Sequence, residues 1–170
     1  MRIILFRHGP AGERDPMRWP DDRERPLSPK GIERTRRCAE GIVRMEGGLS
    51  QVVTSPYFRA TQTAMLLSEA GGLTAPLELA SLEPGGSWRE TLGSLAHAEP
   101  GGTVALVGHE PDLGKFAGVL LFGAPAALAL KKAGACSIEF DEAPRAGSGR
   151  LRWFLPPRAL RRFSRSRSHV

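Results

Sequence analysis

Arg2-Ile3-Ile4-Leu5-Phe6-Arg7-His8-Gly9 opens the chain as a short apolar, strand-like run that stops on a guanidinium, an imidazole and a glycine. A second run, Val104-Ala105-Leu106-Val107, stops in the same way on Gly108-His109. Between them Ser55-Pro56 introduces a helix-like stretch with Arg59 in its first turn. In open α/β sheets ligands bind beyond the carboxyl ends of strands, where strands hand over to helices. Two histidines and two arginines delivered to such ends therefore point to one shared site.

Outward from these runs, short apolar segments alternate with amphipathic ones, the pattern of a layered α/β sheet. Strands are expected near residues 2–7, 51–54, 103–108, 135–141 and 150–155, and helices near 29–46, 56–70, 87–98 and 111–122. Ser28-Pro29 and Ser55-Pro56 each set a capping hydroxyl before a proline suited to the first helical position. Ser87 and Glu90 fit a capping box. In the helix after Pro111, the residues Leu113, Phe116, Ala117, Leu120 and Leu121 follow the stripe of a core-facing helix. The segment from Pro10 to Pro26 has four prolines, eight charged residues from Arg14 to Arg25 and no periodicity. It is expected to be a long surface loop bordering the residues after His8.

At 170 residues the chain is long enough for one domain with its own core. No apolar run approaches the roughly 18 residues of a membrane span, and the N-terminal run is too short for a secretory signal. The expected location is cytoplasmic, with no membrane partner. Cys38 and Cys136 are far apart and in no CxxC pair, which reads as two buried thiols. The net charge of +6 is unevenly spread: residues 157–170 carry Arg158, Arg161, Arg162, Arg165 and Arg167 and no acid. The rest of the chain holds 19 basic against 18 acidic residues, so no nucleic-acid partner is expected. The division expected is a domain over 1–156 and a solvated basic tail over 157–170.

The residue types at the shared site suit phosphoryl transfer. The charge on phosphoryl oxygens must be held by fixed cations, and a nucleophile must stand in line with the leaving group. Arginine offers paired donors that match phosphate and stays charged, which fits Arg7 and Arg59. His8 needs no separate base, because neutral imidazole has a free lone pair near pH 7. A backbone carbonyl on Nδ1–H would leave Nε2 free to attack, with Gly9 allowing a tight turn beneath the ring. His109 would contact a phosphoryl oxygen and, if protonated, offset its charge. First-turn amides after Ser55-Pro56 and Glu110-Pro111 would add donors.

This combination resembles the histidine phosphatase superfamily with its phosphoglycerate mutase-like fold, and within it the SixA-type phosphohistidine phosphatases. The matching pieces are Leu5-Phe6-Arg7-His8-Gly9, Arg25-Pro26-Leu27-Ser28-Pro29-Lys30-Gly31, and Thr54 to Ala64 around Arg59. Val107-Gly108-His109-Glu110-Pro111 and Lys131-Lys132-Ala133-Gly134 follow in the family's order. The resemblance implies a three-layer α/β fold with a mostly parallel central sheet and helices on both faces. It implies His8 as the phosphorylated nucleophile and a phosphate pocket of Arg7, Arg59 and His109, to which Glu110 is added. It also implies hydrolysis without metal or organic cofactor, on a phosphohistidine-bearing protein or a small phosphorylated substrate. Ester-cleaving relatives carry a glutamate that protonates the leaving oxygen, and Glu83 in Leu82-Glu83-Pro84-Gly85-Gly86 stands in that stretch. SixA-type members commonly lack a defined acid there, and an imidazole leaving group, with pKa about 6.5, needs less help than an alkoxide. The expected activity is thus phosphohistidine hydrolysis through phospho-His8. The alternative is a phosphomonoesterase acting on a small metabolite with Glu83 as general acid. Glu110 and Asp22 are outside candidates for that acid, with solvent-facing or capping roles expected for both.

A metal-dependent hydrolase with His8 and His109 as ligands is disfavoured, because Arg7 and Arg59 would set cations beside the metal. A non-enzymatic phosphate-recognition module is the remaining class.

Overall fold

The computed structural model describes residues 1–97 and 101–164, which fold around one six-stranded sheet in the order β3-β2-β4-β1-β5-β6. The strands are β1 (Arg2–Arg7), β2 (Gln51–Thr54), β3 (Leu77–Glu78), β4 (Thr103–Gly108), β5 (Ala135–Glu139) and β6 (Arg150–Leu155). The pairs β3–β2, β2–β4 and β4–β1 are parallel, whereas β5 runs antiparallel to both β1 and β6. Helices α1 (Pro29–Glu46), α2 (Phe58–Gly71), α3 (Trp88–Ser94), α4 (Asp112–Phe122) and α5 (Pro157–Ser164) cover the two faces. The three-layer, mostly parallel architecture is the one expected.

Side-chain alternation along β1 feeds both layers. Ile3 and Leu5 join Val104, Leu106, Leu113, Phe116 and Leu120 on the face covered by α4. Ile4 and Phe6 turn the other way, onto Cys38, Ile42, Ala60, Leu67 and Val107 under α1 and α2. Both thiols are buried and free, and burial raises each pKa to about 12.

Ser28 caps α1 as its sequence signals, its Oγ accepting from the Gly31 N–H at 3.0 Å. Elsewhere the starts shift. Helix α2 begins at Phe58 with Tyr57 as its N-cap, and α4 begins at Asp112 after a cis Glu110–Pro111 bond. Neither proline is the first helical residue. The helix expected over 87–98 is α3 followed by a 3-10 turn, Leu95–His97, and Ala98 lies outside the described residues.

Two elements had no local signal. Strand β3 is two exposed residues on the sheet edge. The solvated tail expected from residue 157 begins instead as α5, whose Leu160 is fully buried with the core under α1. Gly41 of α1 permits that contact, since a Cβ there would overlap the Leu160 carbonyl. Five arginines in fourteen residues obscured one apolar anchor. Residues 165–170 of the expected tail lie outside the described residues.

Candidate active site

Register brings the two histidines together. Arg7 stands opposite Gly108 in the parallel β1–β4 pair, so His8 and His109 leave the sheet side by side. The His8 N–H donates to the Gly108 carbonyl at 3.0 Å, and the Ser55 N–H to the Val107 carbonyl at 2.9 Å. Three consecutive strand ends, β1, β4 and β2, thereby converge on one place. The imidazole centroids of His8 and His109 lie 5.0 Å apart with planes at 54°.

The His8 ring is buried, and its Nδ1 lies 2.7 Å from the Gly9 carbonyl. A carbonyl can only accept, so Nδ1 carries the proton and Nε2 keeps its lone pair. Burial first, then the charges of Arg59, Arg7 and Lys132, lower the His8 pKa to about 3 against the Gly9 bond, so the ring is neutral at physiological pH. Gly9 is needed for a different reason from the one expected. Its backbone φ is ordinary, but a Cβ there would overlap the Thr35 hydroxyl of α1. Behind His8, the Ala133 N–H donates to its carbonyl at 3.2 Å. Ala133 is held at φ +58°, a left-handed conformation costing a non-glycine residue about 1–3 kcal/mol. The Lys131–Gly134 turn thus braces the strand end that carries His8.

His109 is almost fully buried, with Nε2 2.9 Å from the Ser55 Oγ. Ser55 Oγ also accepts from the Tyr57 N–H at 3.3 Å, and its own proton is free to be donated to Nε2. With Ser55 donating, His109 is the Nδ1–H tautomer. Burial and the neighbouring His8 and Arg59 lower its pKa to about 3, so the resting ring is neutral and the charge offset expected of a protonated His109 is absent at rest. Tyr57 packs edge-on against it, 5.0 Å between centroids.

Arg59 is buried and held from the loop side: Nη1 donates to the Asp22 carbonyl at 2.8 Å, and Nη2 meets the Asp22 carboxylate at 3.1 Å. Its guanidinium also lies over the Tyr57 ring at 4.9 Å. Arg7 Nη1 donates to the Leu130 carbonyl at 2.7 Å. Thr63, one turn along α2 from Arg59, accepts from the Gly9 N–H at 3.0 Å and donates to the Arg59 carbonyl at 2.8 Å. It couples the positions of Arg59 and His8.

Arg7 Nε, Arg59 Nε and His109 Nδ1 are buried without a hydrogen-bond partner among the described residues. An unmet buried donor costs about 1–3 kcal/mol, so these three, on residues whose charges and rings act on one another, call for an explanation. An anion with several acceptor oxygens would satisfy all three at once.

The carboxylates divide differently. Asp22, expected to face solvent, faces the site. Burial alone would raise its pKa, but the Arg25 hydrogen bond and the charge of Arg59 outweigh this and lower it. Glu83 reaches the same rim but is engaged, its Oε1 accepting from Arg23 Nη2 at 2.6 Å. Glu110 departs from the phosphate contact expected of it. Its carboxylate accepts from the Leu130 N–H at 3.0 Å, and a carboxylate offers no donor to an anion. Among the described residues no three His, Cys, Asp or Glu side chains gather into a metal site. The sequence assigns Tyr57, Thr63 and Lys132 no role, and Asp22 enters there only as a candidate acid, not as the partner of Arg59. Only Thr63, four residues after Arg59, had a spacing that could have pointed to it.

The profile of the Histidine phosphatase superfamily (branch 1) matches residues 3–82. A relative from Picosynechococcus sp., itself uncharacterized, is 38% identical over 137 residues, spanning 79% of this chain and 82% of that protein. The solved structure of the protein histidine phosphatase SixA complexed with tungstate aligns with a TM-score of 0.80 at 25% identity, over 94% of this chain and 99% of that one. A mycobacterial glucosyl-3-phosphoglycerate phosphatase holding inorganic phosphate shares the fold, with a TM-score of 0.65 at 21% identity over 92% and 98% of the two chains. By sequence and by fold, the chain belongs to the histidine phosphatase superfamily and is a phosphatase.

Proposed function

We propose that this phosphatase hydrolyses phosphohistidine on a protein through a phospho-His8 intermediate. Arg7 and Arg59 hold the phosphoryl oxygens, and His109 donates Nδ1–H to one of them. The His8 Nε2 lone pair attacks phosphorus as the bond to the substrate nitrogen breaks. With its far nitrogen protonated, the departing ring leaves as neutral imidazole. Water then attacks phospho-His8, releasing phosphate and restoring Nε2. Every charge that this sequence requires is supplied by side chains, so neither metal nor cofactor enters.

The carrying observation is the state of the rim carboxylates. Glu83 is bonded to Arg23, and Asp22 to Arg25 and Arg59, so both rim carboxylates are already engaged by guanidinia. A site without a free acid suits a leaving group with a conjugate-acid pKa of about 6.5 and penalises an alkoxide. The SixA structure, which binds tungstate at a protein histidine phosphatase, supports the same reading.

The second reading is a phosphomonoesterase for a small metabolite. Glu83 favours it by lying on the rim, where release from Arg23 would free it as an acid. Comparing kcat/KM for a phosphohistidine peptide and for 4-nitrophenyl phosphate separates the two. Preference for the peptide, with label trapped on wild-type His8 by rapid quench and none in His8→Ala, is expected. Faster ester hydrolysis that collapses in Glu83→Gln would replace this reading with the second. Activity lost to a chelator and restored by a divalent ion would overturn the metal-free step.

A further inference from the structure

We infer that the groove between α1 and α5 is an exosite for an acidic segment of the phosphorylated protein substrate. This rests on the protein-substrate reading above. Helix α1 buries Thr35, Cys38, Ala39 and Ile42 against the sheet layer. Lys30, Arg34 and Arg37 recur at i, i+4 and i+7, the spacing of one helix face. Arg161 of α5 joins them across an open groove of about 460 Å³, whose other lining residues are Pro29 and Glu33. Four cations thus share the groove with one carboxylate.

Neighbouring α1 residue Arg36 pairs with Glu69 at 3.2 Å. Lys30, Arg34, Arg37 and Arg161 take part in no ion pair among the described residues. Arg161, Arg34 and Arg37 all act on the Cys38 thiol, each opposing the burial that raises its pKa. Three guanidinia that act on one thiol repel one another, and the groove they line holds a single carboxylate, Glu33, that pairs with none of them. An incoming run of carboxylates would offset this repulsion, and arginine pairs with carboxylate through two parallel bonds.

The groove also lies where a substrate would pass. The Ser28 N–H donates to the Pro10 carbonyl at 3.0 Å, and Gly31 packs against that same carbonyl, two residues beyond His8. The Lys30 end therefore opens beside the loop that carries Asp22 to Arg59. From Lys30 to Arg37 the stripe is about 10 Å long, at 1.5 Å per residue. That length suits two or three carboxylates on a peptide. It would neutralise too few phosphates to hold a nucleic-acid duplex firmly at physiological salt.

The test uses the full chain and two synthetic peptides, each chemically phosphorylated on one histidine. One carries a run of glutamates several residues away, and the other carries glutamines there. At low salt kcat/KM for the glutamate peptide should exceed that for the glutamine peptide by about tenfold, and the gap should close as salt screens the pair. Arg34→Glu, at an exposed position, should cut most of the preference, and R34E/R37E/R161E should abolish it. Turnover of the glutamine peptide should stay unchanged in both. Equal kcat/KM for the two peptides, or a preference that survives the triple variant while its fold is intact by circular dichroism, would overturn the exosite. So would a single-stranded oligonucleotide that binds more tightly than the glutamate peptide and loses affinity in Arg34→Glu. Fluorescence anisotropy of the unphosphorylated glutamate peptide separates the two claims. If it binds and Arg34→Glu releases it, while neither phosphopeptide is turned over, the exosite stands and the phosphohistidine reading falls.

Discussion

The Ser55 Oγ lies 2.9 Å from His109 Nε2, so the direction of that one hydrogen bond sets which nitrogen of the ring carries the proton. When the Ser55 hydroxyl donates to Nε2, the proton of the neutral ring stands on Nδ1, a buried atom without a hydrogen-bond partner among the described residues. The donor proposed for the phosphoryl oxygen is thus tied to a residue at the end of the neighbouring strand.

Ser55→Ala should cut kcat/KM about tenfold, the scale of one hydrogen bond worth about 1.4 kcal/mol, with little loss of stability. The free ring could then place its proton on Nε2 and face an anion with a lone pair. Nitrogen-15 chemical shifts of His109 should show the tautomer mixing. Unchanged shifts with unchanged activity would remove Ser55 from the mechanism.

Asp22 sets a negative charge against Arg59, on the side where the phosphoryl group would bind. Asp22→Asn removes the charge while its backbone carbonyl still holds Arg59 Nη1. Product inhibition by inorganic phosphate should strengthen severalfold, as expected when a like charge is removed at close range. A weaker inhibition would make Asp22 an anchor that Arg59 cannot do without.

The two histidines give a signed pH dependence. Each has a folded pKa of about 3 against about 6.5 when unfolded, so the unfolded chain binds more protons throughout that window. Their contribution to stability is complete above pH 6.5 and is lost as pH falls toward 3. Thermal midpoints should drop between pH 7 and pH 5, and His8→Asn should flatten that slope. On the activity side, kcat/KM should show no acid limb near 6.5 from either ring. Such a limb, removed by mutating one of them, would show that the free enzyme's site is wetter than its burial implies.

Glu46 is the fold's buried carboxylate anchor. It accepts from Arg2 at 2.8 Å, Arg152 at 2.6 Å and the Trp153 indole at 2.7 Å, joining α1 to β1 and β6. Burial alone would raise its pKa, but the Arg2 and Trp153 bonds and the Arg152 charge hold it below the ordinary value. Glu46→Ala should destabilise by about 2–3 kcal/mol in urea titration, below the usual range for a buried pair because both arginines stay partly solvated. Catalysis at 25 °C should be unaffected.

Local residue order already contained the sheet strands that carry the site. Apolar runs mark β1, β2 and β4, a capping serine and proline mark α1, and the placement of Arg7, His8 and His109 after those runs follows from where strands end. These signals are local, because hydrophobic period and capping chemistry act within a few residues. The contacts that choose protonation states and open donors are long-range, and tertiary packing decided them. Asp22 meets Arg59 across 37 positions, Arg23 meets Glu83 across 60, and Ser55 meets His109 across 54. A charged loop residue looks the same in sequence whether it faces water or a guanidinium. The same holds for α5, whose single Leu160 anchor docks only because Gly41 lets two helix backbones meet.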